Sequence, residues 1–457
     1  MGAQDCVPHL VRGTKARVRV RLRGRFTASR RLGSVAPVDE NYEVIVVGGG
    51  FAGVAAARTL GRKGVRVLLI DKNPYHQFQP LLYQVATVQL GVSEVARSLR
   101  DIFRGQPNVR VLVAEVTSVD PAAKRVTTSD GKVYEGRFLV LASGAEANFF
   151  DTPGAEERTF PLYSVDDAVS LGGALSNALE AADRADDGTE LNFVVIGGGP
   201  TGVETAGAMA ETVKYVLGDY FSPRLASRCR VHLVDMIPNV LNAFSDQSKQ
   251  YAARRLEGMG VELHLGVPVS EIAPDKVVFK DGSEIPATLV VWAGGLKAGP
   301  VVAGSGLAQG RGGRIDVNPD LTAPGAEGVY VLGDAANMTD DKGNKLPQLG
   351  SCALQAGGWA AKNILADIEG RPREPFHYSD KGYMAMVGRG SAVAEVGPGP
   401  NRKLLSGPLA FLAWLGVHVV LLSGSMQKIR ALATWPSDYI SHRRSFVVLS
   451  RPDRAHS

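Results

Sequence analysis

Two stretches of the chain share one order of hydrophobic and polar positions. In the first, an apolar run from Val44 to Val47 precedes a glycine-rich turn, a helix-forming segment and a second β-branched run from Val65 to Ile70. The second stretch repeats this order, with apolar runs from Leu191 to Ile196 and from Val231 to Val234. Short apolar runs bounded by turn residues are typical of buried parallel strands. The pattern therefore predicts two strand-helix-strand units of one kind.

Both turns have the glycine spacing G-x-G-x-x-G, and an acidic residue closes the second strand of each unit. These residues are Gly48, Gly50, Gly53 and Asp71 in the first unit and Gly197, Gly199, Gly202 and Asp235 in the second. Such glycines allow a tight turn, a close approach to a pyrophosphate and close packing of helix on strand, while the acid accepts hydrogen bonds from a ribose. The units therefore predict two Rossmann-like domains that bind two dinucleotides. A glycine-rich turn in an unrelated α/β domain is the alternative.

Further elements surround the two units. Residues 109–138 and 261–289 contain short alternating runs separated by turn signals, which predict two small antiparallel meanders. The run GVYVLGD, residues 328–334, predicts a strand whose end presents an acid to a cofactor, and a helix is expected over residues 347–368.

Charge is concentrated at the N-terminus. The formal net charge is +5, but residues 1–40 hold nine Arg or Lys residues against three acids, so the rest is close to neutral. Nucleic-acid binding by the folded part is therefore not indicated. The extension is Arg-rich and poor in acids, which predicts disorder and resembles a transit peptide. A start codon assigned too far upstream is the alternative.

The three cysteines, Cys6, Cys229 and Cys352, are scattered without metal-binding or disulfide spacing. We therefore expect no metal site, no disulfide framework and a reducing, cytosol-facing location.

An uncharged run extends from Leu404 to Gln427 near the C-terminus. Its uninterrupted apolar part, Pro408 to Leu422, would reach about 22 Å as a helix, less than the roughly 30 Å of a bilayer core. Aromatic and basic residues follow, among them Trp435, Tyr439, Lys428, Arg430, Arg443 and Arg444. We predict a segment that lies on or dips into one leaflet. A buried core, a dimer interface and a true span are the alternatives.

These motifs together resemble the flavoprotein reductases that bind two dinucleotides. The paired glycine units, SG at 143–144, WAGG at 292–295 and GVYVLGD carry that resemblance. Within the group, the chain resembles the type II NADH:quinone oxidoreductases, through HQFQPLLYQVAT (76–87), GGGPTGVETAG (197–207) and AWLGVH (413–418). The resemblance covers residues 42 to about 449.

The resemblance implies an α/β fold in which an NADH-binding domain, residues 159–309, is inserted into a discontinuous FAD-binding domain, residues 41–158 and 310–375. A basic extension, residues 1–40, and a C-terminal helical membrane-surface segment, residues 376–457, complete the chain. It implies oxidation of NADH through FAD by a membrane quinone, menaquinone or ubiquinone, without proton pumping. It also implies a peripheral homodimer on the cytoplasmic face of the cell membrane.

The resemblance assigns site residues position by position. For FAD they are Gly48, Gly50, Phe51, Ala52, Gly53, Asp71, Lys72, Val116, Gly144, Gly333 and Asp334. For NADH they are Gly197, Gly199, Thr201, Gly202, Glu204, Asp235 and Gly295. Glu204, Gln355 and Lys381 are expected to be catalytic. For Glu204, an acid in the first turn of a helix that merely complements the helix dipole is the alternative.

The chain departs from the family pattern at Gly350 and Ser351, where the family has Ala-Gln at the quinone end of the flavin, while Gln355 is retained. We expect Gly350, Ser351 and Gln355 to contact the quinone, but the departure leaves the electron acceptor open. A redox-sensing flavoprotein and a sulfide:quinone oxidoreductase remain as alternatives. Residues 72–108 contain no cysteine, which argues against a disulfide reductase.

Overall fold

A computed structural model describes residues 42–399 and 402–441. The predicted basic extension, Arg443 and Arg444 lie outside the described residues.

The described residues form 24 strands and 14 α-helices. The strands are β1 (Tyr42–Val47), β2 (Val67–Asp71), β3 (Tyr75–Gln77), β4 (Ala96–Ser98), β5 (Val109–Val113), β6 (Val116–Asp120), β7 (Arg125–Thr128), β8 (Val133–Leu141), β9 (Ala145–Ala147), β10 (Phe160–Pro161), β11 (Leu191–Ile196), β12 (Cys229–Asp235), β13 (Val261–Leu265), β14 (Val269–Ile272), β15 (Lys276–Phe279), β16 (Glu284–Pro286), β17 (Leu289–Trp292), β18 (Leu296–Ala298), β19 (Ile315–Asp316), β20 (Val329–Val331), β21 (Ala336–Asn337), β22 (Gly382–Met386), β23 (Ala392–Val396) and β24 (Lys403–Ser406). The helices are α1 (Phe51–Arg62), α2 (Leu82–Ala86), α3 (Val92–Val95), α4 (Leu99–Ile102), α5 (Ala155–Arg158), α6 (Val165–Ala185), α7 (Pro200–Glu211), α8 (Leu217–Tyr220), α9 (Pro223–Arg228), α10 (Asp246–Gly258), α11 (Pro300–Ala303), α12 (Gly350–Ile368), α13 (Gly407–Leu421) and α14 (Ser425–Ser441).

The first sheet has the strand order β5-β2-β1-β8-β7-β6, with β20 also paired to β8. The long strand β8 pairs antiparallel with β7 through its first half and parallel with β1 and β20 through its second half. Parallel strands end at the same edge of a sheet, so the glycine turn after β1 and the acid after β20 meet there. This edge carries the first predicted site.

The second sheet is parallel and has the order β10-β17-β11-β12-β13. Apolar residues of α6 and α7 pack on one face, and the antiparallel strands β14, β15 and β16 cover the other. Because β20 follows this whole sheet in sequence yet pairs with β8, the second domain interrupts the first. The predicted fold class is confirmed, while the numerical domain boundaries stay predictions.

The prediction of two antiparallel meanders is wrong for the first strand of each, because that strand belongs to the parallel part of a large sheet. Strand β5 pairs parallel with β2, and β13 pairs parallel with β12, so both are edge strands of the large sheets. Only the strands that follow them are antiparallel. Half-buried parallel and antiparallel strands show the same alternation of apolar and polar residues. The alternation therefore could not reveal which strand is the neighbour.

The C-terminal part consists of a three-stranded antiparallel sheet, β22-β23-β24, followed by α13 and α14. The predicted C-terminal helices are confirmed, but the sheet precedes them. Among residues 42–399 and 402–441, no helix has the length and apolar character needed to cross a membrane.

Candidate active site

The first and third glycines of each turn are required by the packing of the backbone. Gly48 has φ +103° and Gly197 φ +115°, values that favour glycine. A Cβ atom on Gly53 would lie 1.9 Å from the carbonyl oxygen of Gly48, and one on Gly202 would lie 1.7 Å from that of Gly197. The two turns are therefore built in the same way.

The middle glycines, Gly50 and Gly199, have a different environment. Each is the N-cap of its helix, α1 or α7, in extended conformation, and a Cβ atom on either would meet no atom within 4 Å. Open space thus lies directly in front of two helix N-termini, whose free N–H groups and partial positive charge favour a phosphate. Both turns fit a dinucleotide pyrophosphate. Phe51 and Ala52 lie in the first turn of α1, and Thr201 lies in the first turn of α7.

The acids that close the second strands hold the turns in shape. The Asp71 carboxylate accepts hydrogen bonds from the backbone N–H groups of Gly49 at 2.6 Å and Asn73 at 2.7 Å. Asp235 accepts from Gly198 and, at 2.7 Å, from Ile237. Burial raises the pKa of Asp71, against the lowering effect of these N–H groups. The predicted ribose acids therefore also anchor the phosphate-binding turns.

The first turn has a second support that the sequence interpretation had not assigned. The Nδ1 of buried His76 donates a hydrogen bond of 2.9 Å to the Gly49 carbonyl, and its ring lies edge-on to Phe51. The side chain of the next residue, Gln77, bridges the start of α6 by donating to the carbonyl of Tyr163 and accepting from Val165. Lys72 is exposed, and Val116 is buried on β6.

Gly144 and Asp334, two of the residues predicted to bind FAD, both contact Tyr163. Its hydroxyl donates to the Asp334 carboxylate at 2.8 Å and accepts from the N–H of Ala145 at 3.3 Å. Gly144 has φ +74°, and a Cβ atom there would lie 3.2 Å from the same hydroxyl. Burial raises the pKa of Asp334, opposed by the Tyr163 hydroxyl and Arg314. Asp334 follows Gly333 at the end of β20, as predicted.

A buried hydroxyl at this edge has no hydrogen-bond partner among residues 42–399 and 402–441. It is the Oγ of Ser143, which stands between β8 and Gly144. Buried polar groups are nearly always paired. The orphaned hydroxyl therefore fits a site that takes a polar ligand, such as the predicted FAD.

Glu204 is buried at the fifth position of α7, beyond the first turn, so the helix-dipole explanation does not apply. Its Oε1 accepts hydrogen bonds from the N–H of Met386 at 3.1 Å and from the indole of Trp414 at 3.3 Å. Burial is the main cause that raises its pKa to about 8. The side chain is therefore mostly protonated near neutral pH.

A row of aromatic rings connects Glu204 with the first glycine turn. Trp414 stacks on His418 with ring centroids 3.7 Å apart, and His418 meets the edge of Phe78 at 6.0 Å. Phe78 in turn contacts Phe51 at 5.6 Å. Burial lowers the pKa of His418 to about 4, so its ring is neutral at physiological pH. Helix α13 thus bridges the two predicted sites through apolar, uncharged contacts.

The protonation of Glu204 predicts how stability depends on pH. Its pKa of about 8 exceeds the ordinary 4.5, so the folded protein retains a proton that the unfolded chain releases. This contribution to stability is complete below about pH 4.5 and is lost as the pH rises through about 8. The difference between the two pKa values corresponds to about 5 kcal/mol at most.

We expect Glu204→Gln, which keeps the acceptor and cannot ionise, to flatten the fall of the holoenzyme melting temperature between about pH 6 and pH 9. Glu157→Gln on exposed α5 is the matched control and should follow the wild type. Parallel curves for wild type and Glu204→Gln would show that the buried carboxyl is not protonated.

The predicted quinone residues lie at the start of α12. A Cβ atom on Gly350 would approach the Phe51 ring to 3.1 Å, so a larger residue would press on the first glycine turn. The hydroxyl of Ser351 is 3.0 Å from that of Tyr378. The two residues that depart from the family pattern therefore both have close neighbours: Gly350 lies against Phe51, and Ser351 lies against Tyr378.

Gln355 and Lys381, both predicted to be catalytic, meet at Ser379. The Gln355 carboxamide donates to the carbonyl of Ser379 and accepts from its N–H, so both of its polar atoms are engaged. Lys381 is exposed and donates to the Ser379 hydroxyl at 3.0 Å. Gln355 thus positions the segment that carries Lys381.

Gly295, predicted for NADH, has φ +152°, and a Cβ atom there would lie 2.8 Å from the Phe150 ring. It follows β17, whose end lies beside that of β11, next to the second glycine turn. The position is thus compatible with the predicted nucleotide contact.

Comparison with known proteins agrees with this geometry. Residues 42–357 match the family model of pyridine nucleotide-disulphide oxidoreductases. The chain is 36% identical over 90% of its length to the type II NADH:quinone oxidoreductase Ndh of Mycobacterium tuberculosis, and the match covers 90% of that protein. A second relative from that organism, NdhA, is 36% identical over 92% of this chain and 91% of its own length.

Solved structures show the same fold. The NDH2 of Plasmodium falciparum in complex with NADH has a TM-score of 0.81 at 16% identity, over 89% of this chain and 100% of that one. The sulfide:quinone oxidoreductase of Aquifex aeolicus has a TM-score of 0.68 at 20% identity, over 83% and 90%. At such identities the likeness concerns the fold alone. The family model and the two mycobacterial relatives show that this chain belongs to the type II NADH:quinone oxidoreductases, within the pyridine nucleotide-disulphide oxidoreductases.

Proposed function

We propose that this chain oxidises NADH and passes two electrons by way of FAD to a membrane quinone, without pumping protons. The observation that carries the proposal is the pair of glycine turns with open helix N-termini, connected through α13. The first turn would hold FAD and the second NADH. FAD supplies the hydride acceptor and the two-electron donor when bound.

The protein contributes binding, orientation and a dry environment. Gly50 and Gly199 leave room for the pyrophosphates. Asp71 and Asp235 would bind the riboses, and Asp334 would bind the ribityl chain. Trp414 and His418 close the space between the two turns against water. These contacts position the two cofactors relative to each other.

We assign to Glu204 a proton held near the nicotinamide. Both of its hydrogen bonds go to Oε1, so the proton belongs on Oε2. A neutral carboxyl in this dry site can donate a hydrogen bond or accept one without placing a charge in apolar surroundings. Lys381, on the segment held by Gln355, supplies a positive charge at the α12 end of the site.

The positions of the two cysteines within the described residues argue against a sulfide:quinone reaction at this pair. Cys229 is buried at the start of β12 in the second core, and Cys352 is buried on α12 in the first. Burial raises the pKa of Cys229 to about 11 and that of Cys352 to about 12. Both thiols therefore stay protonated, and they do not form the cooperating pair that such chemistry needs.

We further propose that α13 and α14 hold the protein on the cytoplasmic face of the cell membrane. Leu409, Leu412 and Val420 project from α13, with Leu409 70% and Val420 71% exposed. Ile429 and Leu432 are exposed on α14. Each such side chain gains about 1.5–3 kcal/mol when it leaves water. This set of residues is called the apolar face below.

The opposite sides of both helices belong to the core of the protein. Trp414 and Trp435 are buried, and Trp435 donates to Gln84 at 2.9 Å. Deleting everything beyond Arg402 would therefore remove core residues and a hydrogen-bond donor to Glu204. Membrane binding is better tested by substitution within the apolar face.

We expect the triple variant Leu409→Ser, Leu412→Ser, Val420→Ser to bind anionic vesicles at least about a hundredfold more weakly, because it exposes polar groups to the leaflet. Reduction of long-chain quinone in vesicles should fall accordingly, while reduction of a short-chain, water-soluble quinone should persist. Co-sedimentation and the two quinone assays measure this.

The control is Val133→Ser, an exposed apolar residue on β8, which should leave vesicle binding unchanged. If the triple variant sediments with vesicles as completely as the wild type, the exposed side of α13 is not part of the anchor. If it instead changes from dimer to monomer with vesicle binding intact, the apolar face is the interface of the predicted homodimer.

A further inference from the structure

Three potential metal ligands lie together on the second sheet. His232 is on β12, and Glu262 and His264 are on the edge strand β13. In the register of the two strands, His232 pairs with Glu262 and Val234 pairs with His264. Directly paired residues, and residues two apart on one strand, face the same side of a sheet. The three side chains therefore share one face, which is also the face of the antiparallel strands β14, β15 and β16.

The distances between the donor atoms match those around a small tetrahedral ion. The Nδ1 of His232 lies 3.2 Å from the Nε2 of His264 and 3.5 Å from the Oε2 of Glu262, and all three donor atoms lie within 4.8 Å of one another. Bonds of about 2.0–2.1 Å to Zn²⁺ place tetrahedral ligand atoms about 3.3–3.4 Å apart. The distances from His232 to His264 and to Glu262 are thus already close to these values. Rotation of the exposed Glu262 side chain would bring its carboxylate to the same distance from His264.

Neighbouring residues orient both rings. The Nε2 of His232 lies 2.9 Å from the side-chain carbonyl oxygen of Asn192 on β11. A carbonyl only accepts, so Nε2 carries the proton, and the lone pair on Nδ1 points towards His264 and Glu262. Metal-binding histidines are usually fixed by such an outer hydrogen bond. The ring of His264 stacks on Phe279 of β15.

We propose that His232, Glu262 and His264 bind a divalent transition-metal ion, with Zn²⁺ as the best match. Two imidazoles and one carboxylate are a common ligand set for zinc, and the fourth position stays open to water because Glu262 is exposed. The site uses none of the residues assigned to FAD, NADH or quinone. A bound ion would fasten the edge strand β13 to β12, whose last residue, Asp235, anchors the second glycine turn.

The test is calorimetric titration of chelator-treated holoenzyme with Zn²⁺ alone, together with its melting temperature. The site predicts one ion per chain and a rise in melting temperature with Zn²⁺. His264→Ala and Glu262→Gln should each weaken binding at least about tenfold and remove that rise. FAD content and NADH oxidation without Zn²⁺ should stay unchanged in both variants, which also shows that they fold.

His377→Ala is the matched control, since His377 is an exposed histidine that contacts Asp341 and none of the three proposed ligands. It should bind Zn²⁺ like the wild type. If wild-type protein binds no Zn²⁺, or if the His264 and Glu262 variants bind it as tightly as the wild type, the proposal is wrong.

Discussion

Gly50→Val is expected to give folded protein without flavin. A side chain at Gly50 meets no protein atom within 4 Å, and the backbone there is extended, so the substitution costs the fold little. The new side chain would instead occupy the space in front of α1 where the pyrophosphate has to lie. Because the phosphates then cannot reach the helix N–H groups, FAD binding should be lost. The measurement is the visible absorption of the purified variant, compared with its circular dichroism.

Two further substitutions make the result specific. Gly199→Val, at the equivalent position of the second turn, should remain yellow and bind no NADH. Gly105→Val, at an exposed turn with equally open space, should behave like the wild type. If Gly50→Val retains flavin with a normal spectrum, or if Gly199→Val loses it, the assignment of the two turns is wrong.

The second large effect concerns the choice of nucleotide. The Asp235 carboxylate closes β12 at the second turn, and the residues after it, Met236 and Ile237, are apolar and exposed. A 2′-phosphate would meet this charge without a basic partner. Two unit charges about 4 Å apart repel by about 4 kcal/mol at an effective dielectric constant near 20. We therefore expect kcat/KM for NADH to exceed that for NADPH by about a thousandfold.

Met236→Arg tests the cause, because it adds a cation beside Asp235 at an exposed position. It should raise kcat/KM for NADPH and leave FAD content unchanged. The conservative control, Met236→Leu, should retain the preference for NADH. Equal kcat/KM values for the two nucleotides in the wild type would refute the assignment of Asp235.

The parts of the site that sequence could predict are local in the chain. The strand, the glycine turn, the helix and the closing acid of each unit follow one another closely, so their spacing alone indicates their contacts. The motif after β20 could be placed as well, since parallel strands end at one edge. The positions of Gly48, Gly50 and Asp71, and of the equivalent residues in the second unit, could therefore be predicted from the sequence.

The missed contacts join residues far apart in the chain. Tyr163 and Asp334 are 171 positions apart, and Glu204 and Trp414 are 210 apart. No periodicity connects such positions, because the contact depends on how the domains and α13 pack. The uncharged run containing Trp414 indicated an apolar surface, but not that its buried side would reach Glu204.

The roles of Gln355 and the edge strands show a second limit. A carboxamide can address a quinone or a backbone with equal chemistry, and only the structure shows that both atoms of Gln355 bind Ser379. In the same way, the alternating pattern of β5 and β13 fits a parallel or an antiparallel neighbour. The partners of Gln355, β5 and β13 depend on tertiary packing, which the pattern of residue types does not determine.

Rapid mixing of the purified holoenzyme tests the central claim most directly. NADH should bleach the flavin absorption, and subsequent menaquinone or ubiquinone should restore it, each step at least as fast as steady-state turnover. The redox-sensing alternative predicts that NADH bleaches the flavin while neither quinone restores it at a catalytic rate. That second result would contradict the account of this chain as an NADH:quinone oxidoreductase.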